Sequence, residues 1–292
     1  MILRPVRDSA ADAALVREIT SAAFAELEQQ LGDPPTPWDQ DRIAGHEAKT
    51  RHLARTDPGG CWIAEEHGEP VGTALALRRE GLWALSLYCV LPSAQGKGVG
   101  RLLLDHALAY GRGCLRGMVV CTPDPRAARR YHAAGFRLHP LMTLSGAVDR
   151  AALPDPGAVP VHLGDASHLA LLDSVDRATR GSAHGPDHEL LLRTTEELLV
   201  ADTLSGSGYC YRDSGRVVLL AATSRRVATA LLTDALARIP SAEEAVVPYA
   251  TAEQDWAVDV GLAAGLSVRT RGFLALRGMR PPALYLPSNQ YL

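Results

Sequence analysis

The chain repeats itself in outline, and no other feature limits its possible folds so much. Leu103-Leu104-Asp105-His106-Ala107-Leu108 lines up with Leu231-Leu232-Thr233-Asp234-Ala235-Leu236, and Ala133-Ala134-Gly135-Phe136 with Ala263-Ala264-Gly265-Leu266, at shifts of 128 and 130 residues. Two matches in the same order at nearly constant spacing point to a tandem duplication. The length agrees, since 292 residues is about twice an ordinary domain. Whatever one copy folds into, the other should fold into as well.

The pattern of each copy is mixed. In the first, residues 2–7 read as a strand, 10–31 as an amphipathic helix capped by Asp8 or Ser9, and 39–55 as a second helix. Gly32-Asp33-Pro34-Pro35-Thr36-Pro37 separates the two helices. Residues 61–66, 70–77 and 82–91 form three hairpin-linked strands. A helix at 99–110, a strand at 118–121, a helix at 125–134 and a strand at 136–144 follow. The second half repeats this less fully: strands at 159–163, 209–212, 216–223, 245–249 and 267–276, and helices at 165–178, 225–238 and 255–264. It reads as about one strand shorter, with His184 and His188 in a loop around Pro186. The predicted fold class is α/β: two tandem domains, each a twisted mixed sheet flanked by helices. Their expected limits are 1–148 and 159–292, with a proline-rich linker at 149–158.

Composition excludes several function classes. A net charge of −3 and a pI near 6.4 provide no field for nucleic acid or an anionic membrane. No apolar run reaches the roughly 18–20 residues that span a bilayer, and residues 1–8 lack a signal-peptide stretch. The cysteines (Cys61, Cys89, Cys114, Cys121, Cys210) are odd in number and form no CxxC pair. They predict neither a disulfide framework nor a thiolate metal site, and they suit a reducing cytoplasm. The ten histidines show no ligand spacing, so no metal is expected.

One segment carries chemistry. A buried strand ends at Val90-Leu91-Pro92, Gln95-Gly96-Lys97-Gly98-Val99-Gly100-Arg101 follows, and a helix opens near Val99. Three glycines in five residues leave the backbone unshielded by Cβ atoms. A helix N-terminus offers unpaired N–H groups and partial positive charge. Together they form an anion site suited to a diphosphate, with Lys97 and Arg101 as added cations. The loop lacks the GKS or GKT of a P-loop and the GxGxxG of a dinucleotide fold.

These residues resemble the GNAT superfamily of N-acetyltransferases. Its diphosphate loop, Gln/Arg-x-x-Gly-x-Gly/Ala after a strand, is matched at every position by Gln95 to Gly100. Its second signature is matched by Asp124-x-x-Ala127-x-x-x-Tyr131-x-x-x-Gly135-Phe136, with Asp124 where the family has asparagine. The resemblance implies acetyl-CoA as cosubstrate, held at Tyr88, Val90, Gln95, Gly96, Lys97, Gly98, Val99, Gly100, Arg101, Asp124 and Tyr131. Backbone amides near Tyr88 and Val90 would grip the pantetheine arm and polarise the thioester carbonyl. Tyr131 would protonate the leaving thiolate, since a free phenol and an alkyl thiol are close in acidity. Tyr131 and Tyr88 are thus the expected catalytic residues. The general base is open: residues 83–87 hold no carboxylate, and Glu26, Glu65, Glu66 and His67 are substitutes.

The acceptor is read as a primary amine, with a small molecule favoured over a peptide N-terminus or a mycothiol-synthase-like step. A non-catalytic acyl-CoA sensor is the rival of another class. The second copy shows Thr223-Ser224-Arg225-Arg226 opposite the glycine loop and Gly261 opposite Tyr131, so it reads as degenerate. The apolar tail from Met279 to Leu292 should dock on a surface, along the acceptor cleft in one reading.

Overall fold

A computed structural model describes residues 1–155 and 159–292; Pro156, Gly157 and Ala158, the end of the expected linker, lie outside the described residues. By internal contacts the chain forms two compact units, Met1–Val119 with Leu292, and Val120–Tyr291. The break falls between Val119 and Val120, ahead of the expected linker.

The first unit begins with β1 (Ile2–Pro5), α1 (Ala10–Gln30) and α2 (Gln40–Thr56). Ser9 caps α1, its Oγ accepting from Asp12 N–H at 3.2 Å, and Asp39 caps α2, accepting from Arg42 N–H at 2.8 Å. Next come β2 (Cys61–Glu66), β3 (Glu69–Arg79), β4 (Leu82–Val90), α3 (Val99–Tyr110) and β5 (Arg116–Cys121), which runs into the second unit. The strands lie in the order β1-β2-β3-β4-β5, antiparallel except for β4 and β5. His67-Gly68 and Glu80-Gly81 make the two hairpin turns, all four residues at positive φ, the geometry that matches strand twist. β3 is buried from Val71 through Leu77, as a central strand covered on both faces must be. Arg79 pairs with buried Asp57 at 2.9 Å; the same carboxylate accepts from Arg78 N–H and Tyr110 O–H, fastening β3 and α3 to the turn before β2.

The second unit contains α4 (Pro125–Ala133), β6 (Arg137–Gly146), β7 (His162–Leu163), α5 (Leu169–Thr179) and α6 (Pro186–Thr194). It continues with β8 (Glu197–Thr203), β9 (Gly206–Asp213), β10 (Arg216–Ala222), α7 (Arg225–Arg238), β11 (Ala245–Ala250), α8 (Asp255–Ala263), β12 (Ser267–Arg277) and β13 (Tyr285–Leu286). Its strand order is β12-β6-β11-β10-β9-β8-β7, with β13 on β10. β6 belongs to the first repeat by sequence, yet it pairs antiparallel with β11 and β12 of the second. α7 buries Val227, Leu231, Leu232 and Leu236 in the core of this unit.

Element by element, β1 to β6 with α1 to α4 recur as β7 to β12 with α5 to α8. Two of these differ from the sequence reading. α6 takes up the segment expected as a loop, with Pro186 at its first turn where a missing N–H costs nothing. β8 supplies the strand thought missing; its apolar run follows α6 too closely for turn residues to announce it. The tail docks on the second unit through the β10–β13 pairing, with Tyr285 and Tyr291 buried.

Candidate functional site

β4 is built to leave part of one edge open. Its register with β3 shifts between Leu87 and Leu85, a bulge at Ser86. Among the described residues its parallel register with β5 covers only Leu82, Trp83 and Ala84, so Leu85 to Val90 have β3 as their strand neighbour. Tyr88 and Val90 lie on this stretch.

The loop after β4 is held at its base. Leu91 N–H donates to Val71 O at 2.8 Å, Pro92–Ala94 form a short turn, and Gln95 Nε2 donates to Val90 O at 3.1 Å. Gly96 and Gly98 take φ of +79° and +88°, the left-handed region that glycine enters without strain. A Cβ at either would meet nothing within 4 Å, so the backbone there faces open space. Gly100 is glycine for another reason: its Cβ would lie 2.5 Å from Tyr88 Oη, so its absence lets the first turn of α3 sit against that ring. Gly98 is the N-cap of α3 and offers no side chain, which leaves the helix end to other acceptors. Val99 and Gly100 are buried; Lys97 and Arg101 are exposed, the first 3.3 Å from Glu66 and the second 3.7 Å from Asp105. The expected residues from Tyr88 to Arg101 therefore form one strand–loop–helix unit.

Asp124 and Tyr131 fall in the second unit. Asp124 caps α4, accepting from Arg126 N–H at 2.8 Å and pairing with its Nε at 3.0 Å. Tyr131 is 4% exposed and meets Phe136 edge-on at 6.4 Å between centroids. Gly135, at φ +86°, turns the chain back so that Phe136 N–H bonds Tyr131 O at 3.0 Å. The Tyr-x-x-x-Gly-Phe motif is thus a helix terminus that locks a tyrosine ring. Of the possible bases, Glu65 bonds Arg4 at 2.6 Å, Glu66 pairs with Lys97, Glu26 accepts from Gln30 at 2.8 Å, and His67 sits in a hairpin turn.

The second copy's equivalents are closed. Ser224 caps α7, its Oγ accepting from Val227 N–H at 3.3 Å, so a side chain fills the place that Gly98 leaves open. Arg225 is tied to Asp255 at 2.9 Å and to Asp259 at 3.1 Å. Gly261 replaces the tyrosine because α8 approaches β6 closely there; a Cβ would lie 2.4 Å from Leu144 Cδ2.

Sequence reading missed a buried polar cluster in the second unit. Asp176 Oδ2 accepts from His184 Nδ1 at 2.7 Å and His188 Nε2 at 2.9 Å, and its Oδ1 from Tyr209 at 2.5 Å. Tyr285 and Tyr211 meet the far imidazole nitrogens, each at 3.2 Å. Burial lowers the His184 pKa to about 4, and the two histidines hold the Asp176 carboxyl far below its usual range despite burial. The three ligand atoms lie within 4.8 Å of one another and could hold a metal, but hydrogen bonds already satisfy them. The i, i+4 spacing of His184 and His188 is visible in the sequence but reads as a loop beside Pro186; the cluster forms only when α5, the residues before α6, α6 itself, β9 and the tail come together. Cys61, Cys89, Cys121 and Cys210 are buried thiols, and Cys114 is half-buried. Among the described residues no helix is long and apolar enough to cross a membrane.

Comparison with known proteins agrees with this geometry. Residues 17–136 match the model of the acetyltransferase (GNAT) family. No curated protein matches the sequence significantly. Among solved structures, a candidate acetyltransferase from Pyrococcus horikoshii is similar over 100% of this chain and 95% of its own, at 17% identity and a TM-score of 0.75. A tandem GNAT protein from the clavulanic acid biosynthesis pathway covers 96% of this chain and 99% of its own, at 14% identity and a TM-score of 0.58. A GCN5-related N-acetyltransferase from Sphaerobacter thermophilus covers 94% and 95%, at 17% identity and a TM-score of 0.59. Residues 17–136 belong to the GNAT family of acetyltransferases, a family of acyl-transferring enzymes, and the chain as a whole has the fold of tandem GNAT proteins.

Proposed function

We propose that the first copy transfers the acetyl group of acetyl-CoA to a primary amine of a small molecule, and that the second copy has no chemistry of its own. The observation that carries this reading is the contrast between two helix ends: α3 opens on glycine with no capping side chain, whereas α7 is capped by Ser224 and its first arginine is bound by two aspartates. In this reading the catalytic domain spans 1–148, with β6 built into the second unit's sheet.

The amides of Gly96 to Arg101 receive the diphosphate, with Gln95 bracing the loop and Lys97 and Arg101 adding charge. The arm lies along the β4 edge at Tyr88 and Val90, where pairing with β5 has ended. The amine nitrogen forms a bond to the thioester carbonyl carbon, the C–S bond breaks, the nitrogen gives up a proton and the sulfur gains one from Tyr131. Asp124 and Tyr131 complete the set through the family motif. No fixed base is assigned, since Glu26, Glu65 and Glu66 are engaged by neighbours; the amine arrives neutral and, once bonded to carbon, passes its proton to water, from which the Tyr131 phenolate regains its own. Five thiols without a disulfide suit a cytoplasmic enzyme. Tyr131→Phe tests the role: turnover with an amine should fall about 100- to 10,000-fold while acetyl-CoA affinity holds. Unchanged turnover would remove Tyr131 from the chemistry. Acetyl-CoA binding without CoA release from any amine would favour a sensor.

A further inference from the structure

In the first unit, α2 carries two buried polar side chains without hydrogen-bond partners; the one ring contact of His46 among the described residues is with Trp38, edge-on at 5.2 Å between centroids. His46 is 8% exposed, and both its ring nitrogens are buried with no hydrogen-bond partner. Lys49, one turn along, is 6% exposed and makes no hydrogen bond or ion pair among the described residues. A buried ammonium without a counter-charge costs several kcal/mol, and chains keep such groups where something else uses them.

The surroundings state what is missing. The groups that act electrostatically on His46 are Lys49, Arg42 and Arg17, all cations. Arg17 is taken up by Glu47 and Glu18, and Arg42 by the carbonyls of Thr36 and Pro37 and the Trp38 ring. The group that acts on Lys49 is Cys89, a thiol whose pKa burial raises to about 12. No carboxylate is among them. The site is therefore short of one small anion.

Its place in the fold bears on the reaction. Cys89 lies on β4 between Tyr88 and Val90, and its Sγ faces α1 at 3.9 Å from Thr20 Oγ1. Tyr88 instead packs on α3 at Gly100. Lys49 and His46 thus lie on the α1–α2 face of the same stretch of β4 whose other face meets α3. In the bulge of that strand the Ser86 hydroxyl is also buried and unpartnered.

We propose that Lys49 and His46 form the acceptor subsite, and that the acceptor is an amine carrying a carboxylate, of the amino-acid type. The carboxylate pairs with the Lys49 ammonium and accepts an N–H from His46, which leaves the amine free to reach the thioester. This rests on acetyl transfer by the first copy.

The chain has two lysines, Lys49 and Lys97, so the protein grown on lysine labelled with carbon-13 at Cε gives two signals, which Lys97→Arg assigns. The full-length protein, with coenzyme A present, is titrated with acetate and with α- and ω-amino acids beside their amides. The Lys49 signal should move saturably with at least one acid and not with its amide, while Lys97 stays still. In acetyl transfer that acid should be preferred over its amide by about tenfold or more in kcat/KM, and Lys49→Gln should bring the ratio close to unity. A Lys49 signal that ignores every carboxylate, or equal use of acid and amide by the unaltered protein, overturns the proposal. Failure of coenzyme A to bind would sink the acetyl-transfer reading instead, and the acetate titration would still decide whether Lys49 holds an anion.

Discussion

At the scale of single residues, Lys49 separates function from stability. Burial pulls its pKa from 10.5 down to about 8. Between those values the unfolded chain holds a proton that the folded chain has lost, so stability rises with pH there and the full cost is present below pH 8. Lys49→Met should therefore stabilise the protein at neutral pH by about 2–3 kcal/mol, read by denaturant unfolding. A loss of stability would mean that Lys49 has a partner in the folded state. The site residues differ in how legible they were. Gln95 to Gly100 could be read because a left-handed glycine and an uncapped helix end leave a mark on sequence. His46 and Lys49 could not, since a histidine and a lysine on a helix look like solvated charges until burial is known.

At the scale of elements, the duplicated pattern made most of the fold readable, and α3 was predicted with the bounds it has. α6 and β8 were hidden for local reasons: a proline reads as a breaker unless it opens a helix, and a strand without flanking turns has no visible start. The strand exchange of β6 was also invisible, because residue patterns state which face of a strand is buried but not which neighbour it pairs with. β12 contains a related feature. Its register with β6 shifts between Thr270 and Phe273, and within the shift Gly272 takes φ +74° with its absent Cβ 2.1 Å from Cys121 O. Both the backbone angle and the space require glycine. Gly272→Ala should destabilise the second unit by about 2–4 kcal/mol in thermal or urea unfolding; a cost below about 0.5 kcal/mol would contradict the close approach.

At the scale of the whole molecule, two buried neutral histidines set the acid response. His46 and His184 have folded pKa values of about 2 and about 4 against 6.5 when exposed. The unfolded chain binds the extra protons as pH falls below 6.5, so stability drops with acidification through that window. Each should cost about 2 kcal/mol between pH 6.5 and 5, lowering Tm by roughly 10 °C for the pair. Asp176 acts with the same sign at lower pH: its folded pKa is depressed, so its contribution is kept above the unfolded carboxylate value and lost as pH falls below it. His46→Gln should flatten the slope of Tm against pH in the upper window, and an unchanged slope would place the titration elsewhere.

The division of labour between the copies rests on the two helix ends, and calorimetry with acetyl-CoA tests it most directly. The titration should show one binding site per chain, weakened by about tenfold or more in Gly98→Val, where an added side chain is strained at φ +88°, and unchanged in Ser224→Gly. No heat of binding, two sites per chain, or a Gly98→Val protein that binds as tightly as the original would contradict that division of labour.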